Sequence, residues 1–367
     1  MNSKRRIFTN IFYIALLVFV SLIPLLWYQN GGLIMGHDTG WTLVPFERFI
    51  DRFSLWTRTA FGQDQSMEVG TITIYAVPGL LSLIFSSPQT VQKITYIFWF
   101  FAVAASMYYC ICKIYKGKNR HAVAFAAGVL YCVNHYTLQA WTVAELSKFS
   151  AMTLFPILFA NVWLFLERKK TFLSAVATIG IFSFLFNGGG GSGIPLYAGM
   201  FLTLAVLFFY YVCLKSISIK RLIGLYVAIF GTVILVNAYW LLPLKNVIFT
   251  QYSPFAQSGG PESAVAWTNV ISQNTSFINL FRLQGFSSWY DEPTHPYAAM
   301  YLNNPFFIVI SLIFPLLAMS AILFVKEKSE KKLIVFFTAL VLCALVFTAG
   351  THKPLGFIYE WLMTHVW

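Results

Sequence analysis

Apolar residues run through this chain in long unbroken stretches, and short polar stretches separate them at fairly regular intervals. Nine runs have the length of a bilayer-crossing helix: 7–29, 91–115, 121–140, 149–166, 171–187, 194–214, 221–243, 305–325 and 333–350. Such a helix needs about 17–25 residues, because the hydrocarbon core is about 30 Å thick and each residue rises about 1.5 Å. The runs lack the short alternating segments of a membrane barrel, and lipid admits only helices or closed barrels as spanning structures. The pattern predicts an all-α, polytopic transmembrane bundle, with residues 1–367 as a single membrane domain.

Two long stretches break the pattern. In the first, 30–90, Leu43, Phe46, Phe49, Ile50 and Phe53 fall at helical spacing, with Glu47, Arg48, Asp51 and Arg52 between them. This predicts an amphipathic helix lying in the interface over 42–58. Residues 70–86 are apolar but broken by Pro78-Gly79. They are read as a juxtamembrane or re-entrant segment, because a further crossing there would reverse the charge balance of every later loop. The second stretch, 244–304, is rich in Ser, Asn, Gln, Gly and aromatics, and loops of that length are uncommon unless functional. Gly188 to Gly191 favour a flexible or closely approached backbone over helix.

Composition supports a lipid-solvated protein: 58% hydrophobic, 18% aromatic and only 10% charged, against about a quarter charged in soluble domains. The net charge of +12 changes the picture only through its placement. With the N-terminus inside, 17 of the 25 Lys and Arg lie in inner connections and ten of the 13 acids lie outside. This asymmetry orients the chain, with a cytoplasmic N-terminus and both long stretches extracytoplasmic, and it removes the case for a nucleic-acid partner. The first run continues past 20 residues with no small-residue cleavage site, which reads as a retained helix. Cys110, Cys112, Cys132, Cys213 and Cys343 all fall in apolar runs without zinc spacing, so packing roles and no disulfide are expected.

No zinc, P-loop, dinucleotide or serine-hydrolase signature is present. The acids instead gather near aromatics at outer segments. Asp38, in Gly36-His37-Asp38-Thr39-Gly40-Trp41 directly after the first run, suits a general base or a ligand for a divalent cation such as Mg, Mn or Ca; a solvated turn is the plainer alternative. Glu145 follows an apolar run and lies three residues before Lys148, so it is either a site carboxylate or half of a helical ion pair. Asp64 and Glu68, in Gly62-Gln63-Asp64-Gln65-Ser66-Met67-Glu68, are either cleft residues or ordinary loop charges, and Gln63 and Asp64 join the candidates for donor or acceptor binding. Arg282 suits either a clamp on a lipid phosphate or an interface anchor.

The order of these motifs carries a resemblance. Gly36-His37-Asp38-Thr39 after the first run is followed by Phe61-Gly62-Gln63 and Pro78. Later come Asn237-Ala238-Tyr239-Trp240-Leu241-Leu242-Pro243, Leu280-Phe281-Arg282-Leu283 and Pro354-Leu355-Gly356-Phe357. The series resembles bacterial α-(1→3)-arabinofuranosyltransferase-like membrane proteins of the GT-C glycosyltransferase superfamily. The resemblance implies a polyprenyl-phosphate-linked sugar as donor, an acceptor glycan, an extracytoplasmic active face on a bacterial cell membrane, and Asp38 as the essential acid. His37 departs from the expected small or apolar residue, as either a second ligand or a bystander. Such proteins continue well beyond the Trp361 region, so a truncated or split member is expected. Two other classes stay open: a transporter or flippase of a lipid-linked saccharide, and a catalytically inactive envelope scaffold.

Overall fold

The structure is a computed structural model. It describes all residues except 1–2, 29–30, 36–40, 57–67, 135, 138–139, 142–145, 189–200, 202–203, 206, 213–217, 250–259, 286–302 and 366–367. Every regular element among the described residues is helical. The chain forms two compact units, Met1–Val247 and Ile248–Trp367.

The first unit opens with α1 (Ser3–Val20), which tightens into a 3-10 segment at Ile23–Tyr28. Two short helices follow, α2 (Pro45–Asp51) and α3 (Ile72–Ser82), packed on each other. The 11 residues of α3 cover about 16 Å, roughly half the hydrocarbon thickness. Next is α4 (Pro88–Ile114), begun by Ser87, whose side chain accepts from the Thr90 amide, with Pro88 in the first turn. This is a standard helix start, since proline at N1 gives up only an amide with no helical partner. α5 (Arg120–Cys132) returns along α4, and α6 (Leu146–Leu166) packs on α4 from another side. The contact between α4 and α5 is close: a Cβ on Gly128 would stand 2.7 Å from the Ala104 carbonyl oxygen.

α6 is the centre of this unit. It has no distinct polar face, and 89% of its most apolar stretch is buried, as expected for a helix surrounded by other helices. α7 (Phe172–Leu185) packs on α6 and on α8 (Ile219–Val236). The apolar run 221–243 divides where α8 gives way to α9 (Ala238–Phe249). Buried Asn237 makes the break, donating to the Val233 carbonyl at 2.9 Å and accepting from Trp240 Nε1 at 3.0 Å.

The second unit holds α10 (Gly260–Ile271), α11 (Phe277–Phe281), α12 (Pro305–Phe324), α13 (Lys328–Thr348) and α14 (Gly356–His365). α12 and α13 pair, α11 packs on α13, and α10 on α14. The Thr275 hydroxyl joins α11's approach to the end of α13 by donating to the Ala349 carbonyl at 2.7 Å.

Five helical stretches among the described residues have the length and apolarity to cross a membrane: Phe8–Tyr28, Pro88–Ile114, Leu146–Leu166, Pro305–Phe324 and Glu330–Thr348. Three of the nine expected runs, 121–140, 171–187 and 221–243, carry shorter helices, and 194–214 lies largely outside the described residues. Pro305–Phe324 has a mean hydropathy of 2.7, and among its described residues only Ser311 is buried. A helix so apolar and so uncovered needs lipid around it. The chain is an integral membrane protein.

Candidate functional site

The first two turns of α4 organise the site. Gln92 is wholly buried, and its side-chain amide meets the backbone of Ile34 in both directions. Nε2 donates to the Ile34 carbonyl at 2.7 Å, and Oε1 accepts from the Ile34 amide at 2.8 Å and from the Tyr28 hydroxyl at 2.9 Å. One helical turn further, Tyr96 meets Trp41 edge-on, with ring centroids 6.0 Å apart. Residues four apart share a helix face. That face therefore holds the chain at Ile34 and again at Trp41, the two ends of the segment carrying His37 and Asp38. Gln89, one turn before Gln92, adds a bond to the Gly32 carbonyl at 3.0 Å.

Aromatic rings surround the Trp41 end. Tyr96 lies 6.4 Å from Tyr28 and 5.6 Å from Trp141, and Trp141 stacks on Phe149 at 3.7 Å. Trp99 belongs to the same buried cluster. Four donors here are buried without a hydrogen-bond partner among the described residues: the indole N–H groups of Trp41, Trp99 and Trp141 and the Tyr96 hydroxyl. An unpaired buried donor costs about 1–3 kcal/mol, so four in one cluster is an unusual concentration. Ring faces with inward N–H and O–H groups suit a ligand rich in oxygen acceptors and in C–H faces.

A second tie closes the neighbouring segment. Arg52, just past α2, is 1% exposed, and its Nη1 stands 2.6 Å from Glu68 Oε2. Its guanidinium also lies over the Tyr75 ring of α3, 4.8 Å from the centroid. The pair brackets residues 57–67, which include Gln63 and Asp64. Between the start of α2 and the α3–α4 turn lies an open cleft of about 260 Å³, with Leu43, Phe46, Glu47, Phe85 and Val91 on its walls.

The residues singled out in the sequence fare differently. His37, Asp38, Gln63, Asp64 and Glu145 lie outside the described residues. Lys148 sits in the first turn of α6, next to Phe149 of the aromatic cluster, and is partly exposed. Arg282 belongs to the second unit, where it is 3% exposed and donates through Nε to the Ser311 hydroxyl at 2.7 Å. Among the described residues no three His, Cys, Asp or Glu side chains come together as a metal site. Gln92, Tyr96 and Trp99 carry no signal in the sequence pattern used above, and Arg52 figures there only as a polar position of an interfacial helix. The first three lie on the opening turns of a long apolar span, directly after a Ser-Pro helix start, where polar and aromatic side chains at positions i, i+4 and i+7 were the available signal.

Compared with known proteins, the chain matches no family model, no curated protein and no solved structure.

Proposed function

We propose that this protein is a membrane glycosyltransferase of GT-C type. It moves a sugar from a polyprenyl-phosphate donor to an acceptor glycan on the outer face of the membrane. The reading joins the motif resemblance to one observation: before Asp38 in sequence the Ile34 backbone is hydrogen-bonded by Gln92, and after it the Trp41 ring packs on Tyr96 of the same helix face. Catalysis needs a base held in position relative to its substrate, and a loop tied at both ends is a way to hold one. Asp38 takes the proton of the acceptor hydroxyl as that oxygen attacks the anomeric carbon, and the polyprenyl phosphate departs. The aromatic cluster, with four donors unpaired among the described residues, offers a surface for the sugar. The topology belonging to this reading has nine crossings, with the N-terminus cytoplasmic.

The test is transfer by the purified protein in liposomes supplied with polyprenyl-phosphate-linked sugar and acceptor. Asp38→Asn keeps the side chain's size and removes its basicity. It should lower the rate by about 10²–10⁴-fold, as expected for a lost general base. Near-wild-type transfer by Asp38→Asn would remove Asp38 from the mechanism.

A flippase for the same lipid is the second reading. It is favoured by buried Asn161 within α6, since translocation paths place polar groups inside the bundle. Movement of labelled donor lipid between leaflets without any acceptor would select it.

A further inference from the structure

We propose that α10 and α14 lie in the membrane interface, with Trp267 and Trp361 seated at the headgroup–acyl boundary of the bilayer that α13 crosses. The inference concerns the second unit alone and does not depend on the transferase reading.

The end of α13 sets the depth of both helices. α13 closes at Thr348, the last residue of a stretch apolar enough to cross the membrane. Immediately past that point the unit is tied together twice. The Thr275 hydroxyl donates to the Ala349 carbonyl at 2.7 Å. Gly350, in the left-handed region at φ 58°, packs against Thr268 in the last turn of α10 and Ser272 just beyond it, so closely that a Cβ would run into Ser272 Oγ. α14 begins at Gly356 and packs on α10. Both short helices are thus held at the level where α13 leaves the hydrocarbon.

The faces of α10 suit that level. Residues three, four or seven apart share a helix face. Thr268 and Ser272, both buried, mark the packed face. Glu262, Asn269 and Gln273 form an exposed polar stripe, whereas Trp267, Val270 and Ile271 form an exposed apolar one, with Trp267 66% exposed. Water accounts for the first stripe and leaves the second unexplained; a lipid–water boundary accounts for both. α14 repeats the arrangement: Phe357 and Trp361, four residues apart, are 63% and 55% exposed, and Glu360 beside them is exposed too.

Lipid is the occupant of the apolar stripes because they adjoin a surface that lipid already covers. Phe347, in the last turn of α13, is exposed, as is Ile278 of α11, which packs on α13. Tryptophan favours this depth, since its ring is apolar while its N–H stays in reach of water and headgroups.

The experiment uses the full chain in vesicles of phosphatidylcholine and phosphatidylglycerol, with its five cysteines replaced by alanine and a nitroxide attached through Asn269→Cys, Val270→Cys or Trp361→Cys. Labels at 270 and 361 should be more accessible to oxygen than to a water-soluble nickel chelate, at a depth of about 5–10 Å into the headgroup–acyl boundary. The label at 269 should show the reverse preference. A label at 270 as open to the chelate as that at 269 would overturn the proposal. So would a label at 270 shielded from both reagents, or one whose dipolar broadening vanishes on dilution with unlabelled chain, since protein would then cover the stripe. If the cysteine-free chain does not fold, tryptophan fluorescence of wild type and Trp267→Phe in brominated phosphatidylcholine decides instead. The emission lost in the variant should be the part quenched by bromine on the acyl chains, and emission quenched only by iodide in the water phase overturns the proposal.

Discussion

Gln92 shows how much of a site can rest on one neutral side chain. Its amide satisfies both backbone polar groups of Ile34 and the Tyr28 hydroxyl. Gln92→Leu has similar volume but leaves all three without a partner, at about 1–3 kcal/mol for each group that water does not reach. The expected outcome is a lower Tm in detergent, and a fall in transfer larger than the fall in folded protein, because the Ile34 end of the Asp38 segment is released. An unchanged Tm would mean the clamp is not formed. None of this was legible in the sequence, since a side chain bonded to backbone 58 residues away leaves no periodic trace. Arg52 was misread for a related reason. Its charge suggested the solvated side of an interfacial helix, yet it is buried against Tyr75 and paired with Glu68, which lies beyond the helix and outside its period. The Asp38 segment was conspicuous as a motif, but what holds it was not.

Among the elements, the long apolar helices were readable because length and hydropathy alone specify them: α4, α6, α12 and α13 fall within a few residues of the expected runs. The division at Asn237 was not readable. Its side chain caps the end of α8 and receives the Trp240 indole, so the break is made by local hydrogen bonds within a stretch whose hydropathy never drops. Helix contacts of this kind depend on small residues. A Cβ on Gly128 would meet the Ala104 carbonyl of α4 at 2.7 Å, whereas one on Gly224 of α8 has nothing within 4 Å. Gly128→Val should therefore push α5 off α4 and lower stability by about 1–3 kcal/mol, the usual range for overpacking. Gly224→Ala should be neutral or stabilising by up to about 1 kcal/mol, since alanine is the better helix former. Thermal unfolding of the two variants side by side checks the contrast. Equal effects would mean that the close approach of α4 and α5 is not present in the membrane.

For the molecule as a whole, orientation is the testable quantity. Ser329 falls in the first turn of α13, within a stretch (326–332) carrying four Lys against two Glu, while Ser258 falls in the long stretch after α9. With cysteine introduced at each position, a membrane-impermeant reagent applied to intact cells should label residue 258 and spare residue 329. Outer labelling of residue 329 would reverse the topology. α4 links the two ends of this arrangement. From Gln92, which holds Ile34, to Lys113 in its last turn is 21 residues of uninterrupted helix, a rise of about 31 Å. That is close to the hydrocarbon thickness of about 30 Å. A single stiff rod thus spaces the headgroup level of one leaflet from that of the other, like a gauge of fixed length. A thinner bilayer can be matched by tilting the rod, which carries Gln92 and Tyr96 with it. Bilayer thickness then becomes a setting for the clamp that Gln92 makes on Ile34, and membranes of different acyl-chain length are different working conditions for this protein.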